Sequence, residues 1–230
     1  MTERHRKTSA YYPAFIRIEG KMAVVVGGGE VALRKVEGLL AAGAKVRVIA
    51  PDLQPDLDAL AQQGTVLLIR RGYRPGDLEG AVLAVAATSD PETNRRVALE
   101  ARERNLFLNV VDEPELCSFI VPSVIRREGL TVAISTSGLA PAVAKHLRQK
   151  LEEILVPEYG GFLRLLGTLR PRVREQLQLR AQRDAFWSEA MNSDAFEIYR
   201  ERGESAALSR LEEMVGRVRD AESPSPEGGG

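Results

Sequence analysis

The chain has 230 residues, 44% of them hydrophobic and 28% charged, with 32 basic side chains balancing 32 acidic ones. That is enough apolar material for a sizeable core, while a single cysteine, Cys117, excludes a disulfide framework or a cysteine-rich zinc module. A formal charge of zero gives no global basic field for nucleic acid, and no run approaches the roughly 20 apolar residues of a membrane span, so the expectation is a soluble cytoplasmic protein with neither partner.

Met1–Ala10 is polar and basic and predicts a flexible N-terminus. Met22–Val26 is a short β-branched run ending at Gly27-Gly28-Gly29, the pattern of a buried parallel strand. Val31, Ala32, Val36, Leu39 and Leu40 recur at helical spacing and predict a helix over Glu30–Ala42, with Arg34, Lys35 and Glu37 on its wet side and Gly43 as its stop. A strand over Lys45–Ala50 completes a βαβ unit. The alternation continues with a helix over Pro55–Gln63, strands over Thr65–Ile69 and Ala81–Ala87, a helix over Pro91–Arg104 capped by Asp90, and a fifth strand over Phe107–Val111. This predicts an α/β fold with a Rossmann-like doubly wound parallel sheet.

After Asp112 the pattern changes. Strands over Ser118–Ile125 and Leu130–Ser135 form a hairpin about Arg126-Arg127-Glu128-Gly129. Pro141 suits a first helical turn, and Val143, Leu147, Leu151 and Leu155 follow at intervals of four. Pro157 and Gly160-Gly161 interrupt that helix, and two or three more helices, rich in Arg and Leu, run to about Asp220. Glu222–Gly230 is Ser, Pro, Gly and acid, which predicts a disordered tail.

Gly27-Gly28-Gly29-Glu30-Val31-Ala32 fits the fingerprint G-x-G-x-x-G/A, and it follows a strand and opens a helix. In such a turn Gly27 reverses the chain, Gly29 admits a pyrophosphate to the helix N-terminus, and Ala32 keeps the helix tight on the strand. Asp52 lies at the spacing of a ribose-binding acid; its alternative role is to cap the next helix. Arg47 lies within the strand rather than beside Asp52, which favours NAD over NADP. Thr88, Asn109 and Val110 fall at the carboxyl edge of the sheet, where open α/β sheets bind ligands, and are candidate nicotinamide-side contacts; loop capping is the alternative for Thr88. His5 and His146 are the two histidines, too few for a permanent multi-histidine metal site.

Tyr12-Pro13-Ala14-Phe15, Val24–Lys35 (VVVGGGEVALRK), Ala86–Asn94 (AATSDPETN), Asn109–Asp112 (NVVD), Ser118–Pro122 (SFIVP) and Ser135–Leu151 (STSGLAPAVAKHLRQKL) stand in an order that resembles one family. It is the precorrin-2 dehydrogenase and sirohydrochlorin ferrochelatase family, the N-terminal module of siroheme synthase, and the likeness runs from about Tyr12 to Gln182. The resemblance implies NAD-dependent oxidation of precorrin-2 to sirohydrochlorin, in a siroheme or cobalamin route, and in many members insertion of Fe2+ as a second substrate. It implies that Asp112 is the catalytic group for both steps, that Gly27, Gly28, Gly29, Glu30, Val31, Pro51 and Asp52 line the NAD site, and that two chains pair as a homodimer through the segment after the sheet. The divisions expected are then 1–10, a NAD-binding domain over 11–113, a dimerisation and substrate region over 114–150, a helical domain over 151–221, and a tail over 222–230.

Such an oxidation removes a hydride and a proton, so a base is needed, and Asp112 after an apolar strand is expected to be partly buried with its pKa raised toward a useful value. A simple Asx turn is its alternative role. For a tetrapyrrole rich in carboxylates, Ser135, Thr136, Ser137 and Gly138 offer hydroxyls and amides just before a helix that carries Lys145 and His146. From the resemblance and the length, no fused methyltransferase domain is expected, and Thr136 stands where some fused members of that family have a phosphorylatable serine. The competing reading is a nonenzymatic NAD-binding redox sensor, whose helical region, with Arg164, Arg170, Arg172, Arg174, Arg180 and Arg183, would bind a partner.

Overall fold

Short runs of Val, Ile, Leu and Ala become the strands β1 (Met22–Val26), β2 (Lys45–Ile49), β3 (Leu67–Ile69), β4 (Ala81–Ala86) and β5 (Phe107–Val110), all parallel, in the order β3-β2-β1-β4-β5. The computed structural model describes residues 11–221, so the expectations for Met1–Ala10, His5 and Glu222–Gly230 lie outside the described residues. The chain divides into two units, one running to Val121 and including Ser137–Leu139, the other formed by Pro122–Thr136 and the residues from Ala140 onward.

In the first unit, strand side chains alternate between two faces, and each face is covered. Val25, Val48 and Val85 pack beneath α1 (Glu30–Leu40) and α2 (Pro55–Gln62), with Ala32, Val36 and Leu57 fully buried. Val24, Val26, Ala84 and Val110 face the other way, against Val97 and Ala101 of α3 (Pro91–Glu103). The sheet is therefore doubly wound. Asp90 caps α3, its carboxylate accepting from the amides of Glu92 and Thr93 at 3.1 and 3.2 Å.

The β3–β4 connection has no helix and is held by buried polar groups instead. Glu100 of α3, 7% exposed, accepts from the Tyr73 hydroxyl, from the Gly76 amide at 2.9 Å and from Arg104 Nε at 2.7 Å. Desolvation works to raise the Glu100 pKa, but the hydrogen bonds outweigh it and hold the carboxyl below its ordinary value.

The second unit starts with an antiparallel hairpin, β6 (Ser123–Arg127) and β7 (Leu130–Ile134), in which Arg127 faces Leu130. Helices α4 (Pro141–Ile154), α5 (Glu158–Gln176), α6 (Arg180–Asn192), α7 (Ala195–Arg202) and α8 (Glu204–Ala221) follow. Leu165, Leu169, Phe186, Leu211 and Met214 belong to a core shared by α5–α8, while α4 packs against the hairpin. The expected strand from Ser118 begins only at Ser123. Ser118 instead covers the open edge of β5, its hydroxyl accepting from the Leu108 amide at 2.7 Å and its own amide donating to Leu108 O at 2.8 Å. Gly160 and Gly161 do not break a helix; they lie inside α5, where a Cβ on Gly160 would come within 2.6 Å of Glu128 Cβ and one on Gly161 would overlap the Tyr199 hydroxyl. Among the described residues four helices follow α4 rather than two or three.

Much of the arginine in these helices is engaged within the unit. Arg164 pairs with Glu128, Arg172 with Glu212 and Arg180 with Asp184, while Arg183 donates to Leu177 O and Gln178 O at 2.8 and 2.7 Å beyond the end of α5. Among the described residues no helix is long and apolar enough to cross a membrane.

Glu100→Ala strips the buried Tyr73 hydroxyl and Gly76 amide of their acceptor and is expected to lower the unfolding free energy by on the order of 3 kcal/mol in urea titration. Because the folded-state pKa lies below the ordinary 4.5, the carboxylate's contribution is complete above that value and is lost as pH falls through the lower folded value. The variant should accordingly lose less stability than the wild type on acidification over that window.

Candidate functional site

The turn after β1 is built from three glycines with different physical reasons. Gly27 has φ +130°, and a Cβ there would overlap the carbonyl of Ala87. Gly28 sits so close to the β2–α2 loop that a Cβ would overlap the Asp52 carbonyl, and its own oxygen accepts from the Gln54 amide at 2.8 Å. Gly29 is unlike both: its φ of −84° suits any residue, and a Cβ would meet nothing within 4 Å. None of the described residues requires glycine at that place. Gly29 is the N-cap of α1 and supplies no side-chain cap, so the first-turn amides of α1 are left without one, with the positive end of the helix dipole behind them. The cradle fits the pyrophosphate of a dinucleotide.

The turn floors a cleft of about 800 Å³ built from the first unit. Gly27, Gly28, Gly29, Glu30 and Val31 line its base, Pro51 and Asp52 one wall, Tyr73 a further part, and Thr88, Asn94, Asp112 and Glu113 the remaining wall. Asp52 is exposed and does not cap α2; Gln54 does so, its side-chain oxygen accepting from the Asp56 amide at 3.2 Å. Thr88 lines the cleft, yet its hydroxyl donates to Asn94 Oδ1 at 2.9 Å and accepts from the Asp90 amide at 3.2 Å, so it also closes its own loop.

Asn109 and Val110 are not brought to the cleft. Val110 points into the core beneath α3, its amide donating to Cys117 Sγ at 3.1 Å. Asn109 points to the opposite face of the sheet, is 8% exposed, donates to Phe119 O at 3.2 Å and accepts from Lys35 Nζ at 3.3 Å. Lys35 therefore leaves the wet side of α1 expected for it and becomes half-buried; desolvation pushes its pKa down, opposed by Cys117 and by Asp112.

Asp112 is exposed, so the partial burial expected from its place after an apolar strand is not found. Its backbone carries the information instead, with φ +62° in the left-handed region. Neighbouring residues of an extended chain point to opposite sides, and this left-handed residue turns the chain so that Asp112 and Glu113 line the same cleft.

Asn94 and Glu113 are site residues that sequence reasoning missed. Asn94 is 3% exposed; its amide nitrogen donates to Glu113 Oε1 at 3.0 Å and to Thr88 O at 3.3 Å. A buried Asn near the start of a helix was the available signal, but its partner is 19 residues away and on another element.

Ser135, Thr136, Ser137, Gly138, Lys145 and His146 are not in the lining of this cleft. Thr136 Oγ1 accepts from the Ala140 amide at 3.2 Å, Ser137 and Gly138 have φ of +53° and +80°, and Lys145 and His146 are exposed on α4. Ser135 and Ser137 are engaged in further contacts. Among the described residues no three His, Cys, Asp or Glu side chains gather to hold a metal ion.

Residues 14–123 match a family described as "Putative NAD(P)-binding", residues 127–154 the "Sirohaem biosynthesis protein central" family, and residues 158–215 the "Sirohaem synthase dimerisation region". The chain is 41% identical over 205 residues to siroheme synthase 3 of Aeromonas hydrophila, covering 89% of this chain and 44% of that protein. It belongs to the siroheme synthase family. A siroheme synthase of Pseudomonas aeruginosa is 42% identical over 187 residues, covering 81% of this chain and 40% of that protein, so the chain spans less than half the length of these curated relatives. A solved structure of SirC, a precorrin-2 dehydrogenase, shares the fold with a TM-score of 0.68 at 21% identity, over 91% of this chain and 100% of that one.

The three glycines are expected to respond differently to alanine. Gly28→Ala should unfold the first unit at a clearly lower temperature, because the new Cβ meets backbone. Gly29→Ala should leave the unfolding temperature within a few degrees of wild type and weaken dinucleotide binding at least about tenfold, as read by calorimetry.

Proposed function

We propose that the chain binds NAD in this cleft and oxidises precorrin-2 to sirohydrochlorin, with Asp112 as the proton acceptor. The observation that carries the reading is Gly29, a glycine with open space where its Cβ would be, at the mouth of an uncapped helix. Exposed Asp52 on the β2 wall suits ribose hydroxyls and opposes a 2′-phosphate. Arg47, the nearest strand arginine in sequence, is committed elsewhere, donating to Asp77 O and Glu79 O at 3.0 and 3.1 Å.

When bound, NAD supplies the hydride acceptor. The chain supplies the rest: Gly27–Val31 seat the pyrophosphate with backbone amides, and the walls at Asp52 and at Thr88–Asn94 fix the two ends of the cleft. Asp112, on the wall at the end of β5, takes the proton that leaves the substrate as the hydride departs. Insertion of ferrous iron, the step from sirohydrochlorin to siroheme, would use the same carboxylate for the pyrrole protons. Ser135–Gly138, Lys145 and His146 supply hydrogen bonds and charge to the substrate carboxylates, within a dimerisation and substrate region spanning 114–150.

A second copy of the chain covers α4. Val143, Leu147 and Ile154, 48%, 44% and 64% exposed, fall on one stripe of that helix, and Leu139 just before it is 68% exposed. The family match to a dimerisation region over residues 158–215, which begins after α4, supports a homodimer without assigning α4 to its interface.

Asp112→Asn keeps the left-handed turn, which Asn adopts readily, and removes the base. It should lower kcat for anaerobic precorrin-2 oxidation by about 100-fold or more while NAD affinity stays within about twofold. Leu147→Glu should shift the chain from dimer to monomer in sedimentation at micromolar concentration; a variant that stays dimeric would remove α4 from the interface.

A further inference from the structure

A dinucleotide carries two riboses, and the cleft has two walls. β2 lies on one side of β1, and β4 and β5 on the other, so a pyrophosphate seated on the glycine turn directs one nucleoside toward each side. Asp52 supplies a carboxylate on the β2 side. We propose that Glu113, held in place by Asn94, is the corresponding ribose-binding carboxylate on the β5 side; this rests on the NAD reading of the cleft.

Glu113 is prepared for that task and Asp112 is not. The Asn94 amide fixes Glu113 Oε1 at 3.0 Å, and Asn94 is itself held on both sides of its carboxamide, by the Thr88 hydroxyl at 2.9 Å and the Thr88 carbonyl at 3.3 Å. With Asn94 only 3% exposed, this chain of hydrogen bonds ties the β4–α3 loop to the turn after β5. Glu113 Oε2 has no hydrogen-bond partner among the described residues and lies on a residue that lines the cleft. A carboxylate whose orientation is already fixed loses little entropy on binding, and an anionic acceptor binds a pair of vicinal hydroxyls more strongly than a neutral one. Asp112, one residue earlier and exposed, is left to the proton. In this arrangement Asn94 is a positioning residue that acts through Glu113.

The test compares ligands that differ by one ribose. Calorimetric affinities for ADP, ADP-ribose and NAD are measured on the full chain, for wild type, Glu113→Gln, Asn94→Ala and the double variant, with thermal unfolding as the check on folding. Glu113→Gln, an isosteric change, is expected to weaken ADP-ribose and NAD about tenfold and to leave ADP unchanged. Asn94→Ala should show the same ligand pattern and add little in the double variant. Equal weakening of all three ligands, or no weakening of ADP-ribose, overturns the assignment. If Asn94→Ala fails to fold, the pattern in Glu113→Gln alone decides. A wild type that binds NAD but does not oxidise precorrin-2 would sink the dehydrogenase reading and leave this assignment standing, whereas one that binds neither NAD nor ADP-ribose overturns both.

Discussion

At the C-terminal edge of the sheet the backbone leaving β1 runs against the ends of two neighbouring segments, and the approach leaves no room for a Cβ at Gly27 or Gly28. The base of the cleft follows from that contact. With the Gly27 amide bonded to Ile49 O at 2.9 Å and the Ala87 amide to Val26 O at 2.8 Å, the three loops leave the sheet at one level. The start of α1 is thereby set in the base of the cleft, and Ala32, fully buried one turn later, keeps the helix seated on the sheet. Gly29, released from any packing demand, is then free to be shaped by a ligand.

A second constraint governs the chemistry. β5 ends at Val110, and the chain must both leave the sheet and present acid groups to the cleft. A left-handed Asp112 does this at a backbone cost of about 1 kcal/mol, which Gly would not incur. The strain is met by bonds on either side: Cys117 pairs its thiol with both the amide and the carbonyl of Val110, and Asn94 holds Glu113. Burial raises the Cys117 pKa, opposed by the hydrogen bond from Val110, which suits a thiol that serves as a structural donor.

The βαβ unit and the glycine turn were legible in the sequence because their signals are local: a β-branched run, a glycine cluster and a 3.6-residue period follow one another without a gap. The same locality explains the differences. A period of two places Asn109 and Val110 on opposite faces of β5, but nothing in the string NVVD says that the cleft wall begins one residue beyond the strand. Gly160-Gly161 reads as a helix breaker until the side chains of Glu128 and Tyr199, distant in sequence, occupy the space a Cβ would need. Lys35 reads as a solvated charge until Asn109, 74 residues away, draws it against the sheet. Ser118–Pro122 is apolar enough for a strand, yet its role is to cover an edge with one hydroxyl and two amides.

The chemistry proposed for this cleft is a coupled loss of one hydride and one proton from a tetrapyrrole. The most direct measurement is the stoichiometry of an anaerobic reaction of precorrin-2 with NAD on the wild-type chain, following reduced nicotinamide and sirohydrochlorin together before any iron is added. The expected result is one reduced nicotinamide for each sirohydrochlorin formed, with no product when NAD is left out. Sirohydrochlorin formed without reduced nicotinamide, or NAD bound with neither product appearing, would contradict it.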